Sequence, residues 1–177
     1  MANFDSKHVK NVVLVGHTGS GKTTLTESML FEAGLINRRG TILDKNTVAD
    51  YTDIEHEKGK TFFSKLVYTK WKDYKINLLD TPGYDDFAGE IIGAMRVADC
   101  GLMLLNSAMG VEVGTDIIWT YTDEYKLPML LAVNHLDNEK SDFDKTVREA
   151  KAHFGNNVVV VQYPVNQGEK FDAIVDV

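Results

Sequence analysis

The octapeptide GHTGSGKT, Gly16 to Thr23, constrains the fold more than any other stretch of this chain. It matches G-x-x-x-x-G-K-[ST], follows the apolar, β-branched run NVVLV (11–15), and opens a segment in which Leu25, Met29, Leu30 and Ala33 keep helical spacing. A strand, a glycine-rich loop and a helix in that order make a phosphate cradle. The glycines let backbone N–H groups turn inward, and the helix N-terminus adds partial positive charge. Gly16, His17, Thr18, Gly19, Ser20, Gly21 and Thr24 line the loop. Lys22 is placed to neutralise the β- and γ-phosphates and the Thr23 hydroxyl to ligate Mg²⁺.

The remaining pattern repeats strand and helix. KINLL (75–79), GLMLLN (101–106) and MLLAV (129–133) read as strands buried on both faces, and TFFSKLVY (61–68) as a strand turning back antiparallel into KINLL. Phe87, Ile91, Met95 and Ala98 mark one helix; Ile117, Tyr121 and Tyr125 mark a second. A third is predicted over 141–154, capped by Ser141, with Phe143, Val147, Ala150 and Phe154 as its apolar stripe. Gly34 and Gly155 read as helix ends. This rhythm predicts an α/β fold, a P-loop NTPase with three α/β/α layers and a mostly parallel sheet carrying one antiparallel edge strand. Residues 35–60 are polar without sustained periodicity, a loop length that is usually functional or mobile.

With 177 residues the chain is long enough for one domain with a real core, and 44% apolar with 25% charged residues is ordinary for a soluble globular protein. A net charge of −7 argues against a broad basic face, so direct nucleic-acid binding by this stretch is not expected. No apolar run nears the roughly 20 residues that span a bilayer, so no membrane partner is expected. The N-terminus lacks the basic-then-apolar profile of a secretory signal. The single Cys100, in the run CGLMLL, is expected to be a packed core thiol. Cytoplasm is the expected compartment.

Two further signals follow the phosphate loop in order. Asp80 ends the strand KINLL, where a P-loop protein holds magnesium, usually through water; in the Asp-Thr-Pro-Gly turn after it, the Gly83 N–H is suited to bond a γ-phosphate. The sequence NHLD, with Asn134, His135 and Asp137, ends the strand MLLAV. A buried Asp137 would accept the guanine N1–H and amine and reject adenine, which lacks that donor pair. A P-loop ATPase or small-molecule kinase remains the same-fold rival, which comparing GTP with ATP binding decides. The histidines show no metal-ligand spacing; His8, His17, His56 and His153 read as surface residues, though His17 lies in the phosphate loop.

P-loop, DTPG and N-x-x-D in this order resemble the translation-factor GTPases, and GHTGSGKTTLTE, DYTDIEHEKGKTF, DTPGYDDFAGE and AMRVADCGLMLLNSAMGVEVGT resemble the corresponding stretches of elongation factor G. The resemblance covers essentially the whole chain. It implies GTP/GDP and Mg²⁺ as ligands, the ribosome as partner through the full-length protein, and two nucleotide-sensitive switches. It maps Thr61 onto a threonine that reaches Mg²⁺ and the γ-phosphate, and Tyr84 onto the position of a water-orienting histidine. It further implies a GTP-binding domain over 1–155 and, over 156–177, the start of a segment leading into an insert subdomain.

Four departures separate this chain from that pattern. Gly19 replaces an aspartate proposed to ligate a monovalent cation, Tyr84 replaces histidine, His135 replaces a lysine that packs on guanine, and the last guanine-contacting motif is absent. Gly19 and Tyr84 resemble the elongation factor G-like paralogues, and the missing motif implies a fragment of a longer factor. Neutral at pH 7, a tyrosine hydroxyl is a poor general base, so hydrolysis is expected to be slow or strongly partner-dependent. Asp85 and Asp86 read as solvated carboxylates, and His135 predicts weaker guanine affinity. A ribosome-docking module with little or no hydrolysis and a ribosome-protection GTPase are the alternative readings.

Overall fold

The computed structural model describes residues 4–177. Five strands form one sheet: β1 (Val9–Val15), β2 (Lys65–Trp71), β3 (Tyr74–Asp80), β4 (Cys100–Asn106) and β5 (Met129–Asn134). Their spatial order is β2-β3-β1-β4-β5, and every pairing is parallel except β2 with β3. The expected antiparallel edge strand is therefore β2. It begins at Lys65, not at Thr61, because the Phe62 and Phe63 N–H groups donate to the Glu55 carboxylate instead of to a neighbouring strand.

Helices cover both faces of this sheet. On one face α1 (Lys22–Glu32) brings Leu25 and Met29 against Leu14, Leu78 and Leu104. On the other, α3 (Ala88–Met95), α4 (Val113–Tyr125) and α5 (Phe143–Phe154) bury Ile91, Met95, Ile118, Ala150 and Phe154 against Val13, Val15, Met103 and Leu105. Successive residues of β1 and β4 thus feed opposite cores, the period-2 alternation of a strand buried on both sides. Truncating a fully buried leucine such as Leu78 or Leu104 to alanine costs about 2–5 kcal/mol.

Three local expectations shift. Asp142, not Ser141, caps α5 by accepting from the Lys145 N–H at 2.8 Å. In α4 the fully buried positions are Gly114, Thr115, Ile118 and Thr122; the predicted Tyr121 and Tyr125 pack half-buried against the core, and Ile117 is exposed. Cys100 is half-buried, not packed in the core, and burial raises its thiol pKa. None of the described helices is long and apolar enough to cross a membrane.

The polar stretch 35–60 contains a short helix, α2 (Asp53–Lys58). Its capping box is Thr52 and Glu55, a T-x-x-E signature legible in the sequence. Beyond α5, β6 (Gln162–Pro164) and β7 (Ile174–Asp176) pair as a small antiparallel ribbon. The Gln167 side chain accepts from the Phe143 N–H at 2.7 Å and the Gly168 N–H donates to the Leu136 carbonyl, tying this segment to the start of α5.

Candidate functional site

The carboxyl ends of the parallel strands converge on one edge of the sheet. β1 ends at the Gly16 loop, β3 at Asp80, and β5 at Asn134, which pairs with Asn106 of β4. In open parallel sheets this edge is where ligands bind. A cleft of about 260 Å³ lies there, bounded by the phosphate loop and α1, by Lys60 and Thr61 ahead of β2, by Gly83 and Tyr84 after β3, and by His135.

Lys22 is 6% exposed and donates to the Gly16 carbonyl at 2.7 Å and the His17 carbonyl at 3.1 Å. Burial lowers its pKa to about 8, with Asp80, Asp50 and Glu112 pulling the other way. Gly21 caps α1 at φ 99 without a side-chain hydrogen bond, leaving the first helical N–H groups directed at the cleft. A Cβ on Gly21 would collide with the Asn134 amide. Gly83 approaches as closely: a Cβ there would fall 2.6 Å from both Lys22 Nζ and the Thr18 N.

Asp80 is wholly buried, and neither carboxylate oxygen has a hydrogen-bond partner among the described residues. Burial raises its pKa to about 7, against the opposing pull of the Thr23 hydroxyl and the Lys22 ammonium. Beside it, Thr23 Oγ1 and Thr61 Oγ1 lie 3.2 Å apart, and the Thr61 hydroxyl donates to Asp50 Oδ2 at 3.1 Å. Asp50 Oδ1 is also buried without a partner, and burial raises this pKa as well.

These groups fit a hard divalent cation. Orphaned carboxylate oxygens and paired hydroxyls are oxygen donors, and the cost of leaving them bare is relieved by a positive ion. Among the described residues no cluster of three or more His, Cys, Asp or Glu side chains is assembled as a cage.

Asp50 and Glu55, absent from the sequence-derived site, organise the segment from Asp50 to Phe63, which the resemblance maps onto the first of the two switches. Glu55 accepts from the Thr52 hydroxyl at 2.7 Å and the Phe62 N–H at 3.1 Å, and pairs with Lys65 at 3.0 Å. Burial pushes its pKa up, but these bonds outweigh it and hold the carboxyl below its ordinary value. Glu27, buried in α1, accepts from the Gly40 and Val48 N–H groups and fastens the preceding loop.

Tyr84 lies under Lys60, whose Nζ is 4.4 Å from the ring centroid. The tyrosine pKa is lowered, first by the neighbouring Lys60 ammonium and then by Thr18. Asp85 and Asp86 are exposed, as expected, although Asp85 packs so close to Gly114 that a Cβ there would lie 2.7 Å from its carboxylate. His17 departs from the bland surface reading: its Nδ1 pairs with Glu112 at 3.1 Å, linking the phosphate loop to the start of α4.

At the other end of the cleft, the Asn134 amide donates to the Ser20 carbonyl at 2.8 Å and His135 Nε2 lies 3.0 Å from the Gly19 carbonyl. His135 takes a left-handed φ of 60 and its carbonyl accepts from the Ser107 hydroxyl at 2.7 Å, a brace the sequence did not single out. Asp137 is exposed, which corrects the expectation of a buried carboxylate. Gly16, His17, Thr18, Gly19, Ser20, Gly21, Lys22, Thr23, Thr24, Thr61, Asp80, Gly83, Tyr84 and His135 therefore share one region, with Asn134 behind the loop and Asp137 at its rim.

Comparison with known proteins identifies the family of this chain. Residues 7–176 match the family described as the elongation factor Tu GTP binding domain. An elongation factor G-like protein of Thermotoga maritima is 36% identical over 96% of this chain and 24% of its own length. The mitochondrial ribosome-releasing factor 2 of Drosophila melanogaster is 40% identical over 97% of this chain and 23% of its own. A crystal structure of a protein from Thermus thermophilus superposes with a TM-score of 0.90 at 34% identity, over 96% of this chain and 25% of that one. The chain spans about a quarter of the length of these relatives. It belongs to the elongation factor Tu GTP-binding-domain family.

Proposed function

We propose that this domain binds GTP with Mg²⁺, hydrolyses it when its full-length protein docks on the ribosome, and changes the position of its two switch segments as a result. The observation that carries the reading is the buried, unpartnered Asp80 carboxylate beside the Thr23 and Thr61 hydroxyls and the Lys22 ammonium. Such a group is costly to keep bare, and it stands where a metal–phosphate complex supplies what is missing.

In this reading Lys22 leaves the Gly16 and His17 carbonyls for the β- and γ-phosphates, which the N–H groups of the loop surround. Thr23, Thr61 and Asp80 would hold Mg²⁺, which would offset the phosphate charge. The Gly83 N–H bonds the γ-phosphate, so that loss of this phosphate releases the second switch. Asn134 and His135 hold the loop from the base side, and Asp137 accepts the guanine N1–H and amine. In hydrolysis a water oxygen bonds to the γ-phosphorus while the bond to the β–γ bridging oxygen breaks. That oxygen leaves with the electron pair as GDP, and the water's protons pass to the phosphate and solvent. Tyr84 orients this water through its hydroxyl and does not act as its base.

Residues 1–155 form the GTP-binding unit and 156–177 begin the following segment. The deciding experiment is single-turnover GTP hydrolysis by the full-length protein, with and without ribosomes, beside GTP and ATP binding. Ribosome-stimulated release of phosphate and preference for GTP support the reading. GTP binding without hydrolysis on the ribosome would leave the docking-module alternative standing in its place, and preference for ATP would overturn both.

A further inference from the structure

The structure carries a second ammonium group into the phosphate cleft, on a residue outside the phosphate loop. Lys60 lies between Gly59, which ends α2 at φ 62, and Thr61, whose hydroxyl is joined to Thr23 and Asp50. The backbone on both sides is held by one buried residue. The Gly59 and Lys60 N–H groups donate to the Glu55 carbonyl at 2.7 and 3.3 Å, and the Phe62 N–H donates to its carboxylate at 3.1 Å. A side chain issuing from so anchored a backbone has its reach set by the fold.

That reach ends over Tyr84. Lys60 Nζ lies 4.4 Å from the ring centroid, and both side chains line the same cleft as Lys22, Thr23, Thr61 and Gly83. Lys60 is exposed, as is Lys58 two residues earlier, but Lys58 pairs with Glu57 at 2.8 Å whereas Lys60 rests on the Tyr84 ring. Among the described residues no carboxylate lies within ion-pair distance of Lys60. An ammonium without an acidic partner, resting on an aromatic face at the edge of a polar cleft, is available to an incoming anion.

Charge decides which anion. Lys22 already faces Asp80 and Asp50, so part of its charge is taken up by the protein itself. A triphosphate adds one phosphoryl group, with its negative oxygens, beyond what a diphosphate brings. The transition state for transfer spreads charge over those same oxygens. Gly83 is pressed against Lys22 and Thr18, and Tyr84, which follows it, lines with Lys60 the same cleft.

We propose that Lys60 is a second cation for the terminal phosphate, held in place by the Tyr84 ring, so that it favours a nucleoside triphosphate over a diphosphate and stabilises the transferring phosphoryl group. Resting on the GTP-binding function above, this assigns specificity and charge compensation to a residue of the first switch. Tyr84 then has two tasks: it carries the lysine on its face and presents its hydroxyl to the cleft.

The test uses the full-length protein as parent, Lys60→Met and Lys60→Arg. Binding of GDP and of a non-hydrolysable GTP analogue is measured with Mg²⁺, and single-turnover hydrolysis is measured on ribosomes. The expected result for Lys60→Met is analogue affinity weakened about tenfold or more, GDP affinity within about twofold of the parent, and turnover slowed about a hundredfold, with Lys60→Arg restoring most of both. Unchanged GDP affinity doubles as the folding control. Parental analogue binding and turnover in Lys60→Met overturn the inference while leaving the GTPase reading intact. Equal loss of both nucleotides also overturns it, marking Lys60 as a structural residue of the loop. A parent that binds no guanine nucleotide removes the proposed function and this inference with it.

Discussion

The Glu55 carboxylate and the Lys65 ammonium lie 3.0 Å apart, with only 6% of the lysine and none of the glutamate side chain exposed, and this pair joins the first switch to the edge strand β2. Lys65 is directly opposite Asp80 in the β2–β3 register, so the pair also fixes the strand that carries the candidate magnesium carboxylate. Its ammonium lies 4.1 Å from the Tyr51 ring centroid, closing the pair from outside.

Removing one member of this pair strands the other. Glu55→Ala is expected to destabilise the fold by about 3–5 kcal/mol, whereas Glu55→Ala with Lys65→Met recovers part of that loss. Urea unfolding of the two variants checks both statements. The pH dependence has a definite sign. The folded-state pKa of Glu55 is depressed, so its stabilisation is present above the ordinary carboxyl value of 4.5 and is lost as the pH falls below it. In Glu55→Gln this acid-limb loss is expected to shrink.

Asp80 works in the opposite direction. Burial raises its pKa from 3.8 to about 7, so its effect on nucleotide-free stability is most favourable below 3.8 and is lost as the pH rises through 7. Asp80→Asn is therefore expected to stabilise the nucleotide-free protein at pH 8 by at least about 1 kcal/mol while removing the Mg²⁺-dependent gain in GTP affinity. Thermal unfolding at pH 5 and pH 8, with nucleotide titrations in Mg²⁺ and in EDTA, measures each part. A variant less stable at pH 8 than the parent contradicts the account.

Gly83 is the point where the second switch meets the phosphate loop. The Cβ of Gly83→Ala would fall 2.6 Å from the Thr18 N, a backbone atom that cannot simply swing aside. The switch must withdraw, and the preference for a GTP analogue over GDP is expected to fall about tenfold or more, with a loss of about 1–3 kcal/mol in stability. Competition binding of the two nucleotides reads the first effect and chemical denaturation the second.

Replacing Tyr84 by histidine introduces a group that titrates near neutrality at the position proposed above to face the attacking water. Ribosome-dependent single turnover in Tyr84→His is expected to be about tenfold faster or more, with GDP affinity unchanged. A variant no faster than the parent would count against the role given to Tyr84.

His135 bonds the Gly19 carbonyl through its ring, so its contribution reaches the loop and not the terminal phosphate. His135→Ala is expected to weaken GTP and GDP by the same factor, about three- to tenfold, as for one lost hydrogen bond. A selective loss of GTP in equilibrium titrations would place its influence at the phosphate end instead.

The phosphate loop, Asp80 and the N-x-x-D turn were legible in the chain because each obeys a local rule: glycine where N–H groups must turn inward, an acid at a strand end, a polar turn after an apolar run. The sheet was legible for a similar reason, since period 2 and period 3.6 are written residue by residue. A capping box at Thr52 and Glu55 announces α2 as plainly, and the 26-residue stretch around it hid that signal.

Long-range pairing could not be read in this way. That Glu55 selects Lys65, that Glu27 holds the Gly40 N–H, and that Lys60 reaches Tyr84 depend on segments brought together only when the sheet closes. Burial itself is a tertiary quantity, so the opposite pKa shifts of Glu55 and Asp80, two carboxyl groups of the same chemistry, follow from what surrounds each. Local order along the chain specifies which phosphate-binding parts this protein possesses. Folding settles which charges face them, because desolvation and Coulomb attraction act through space, not along the chain.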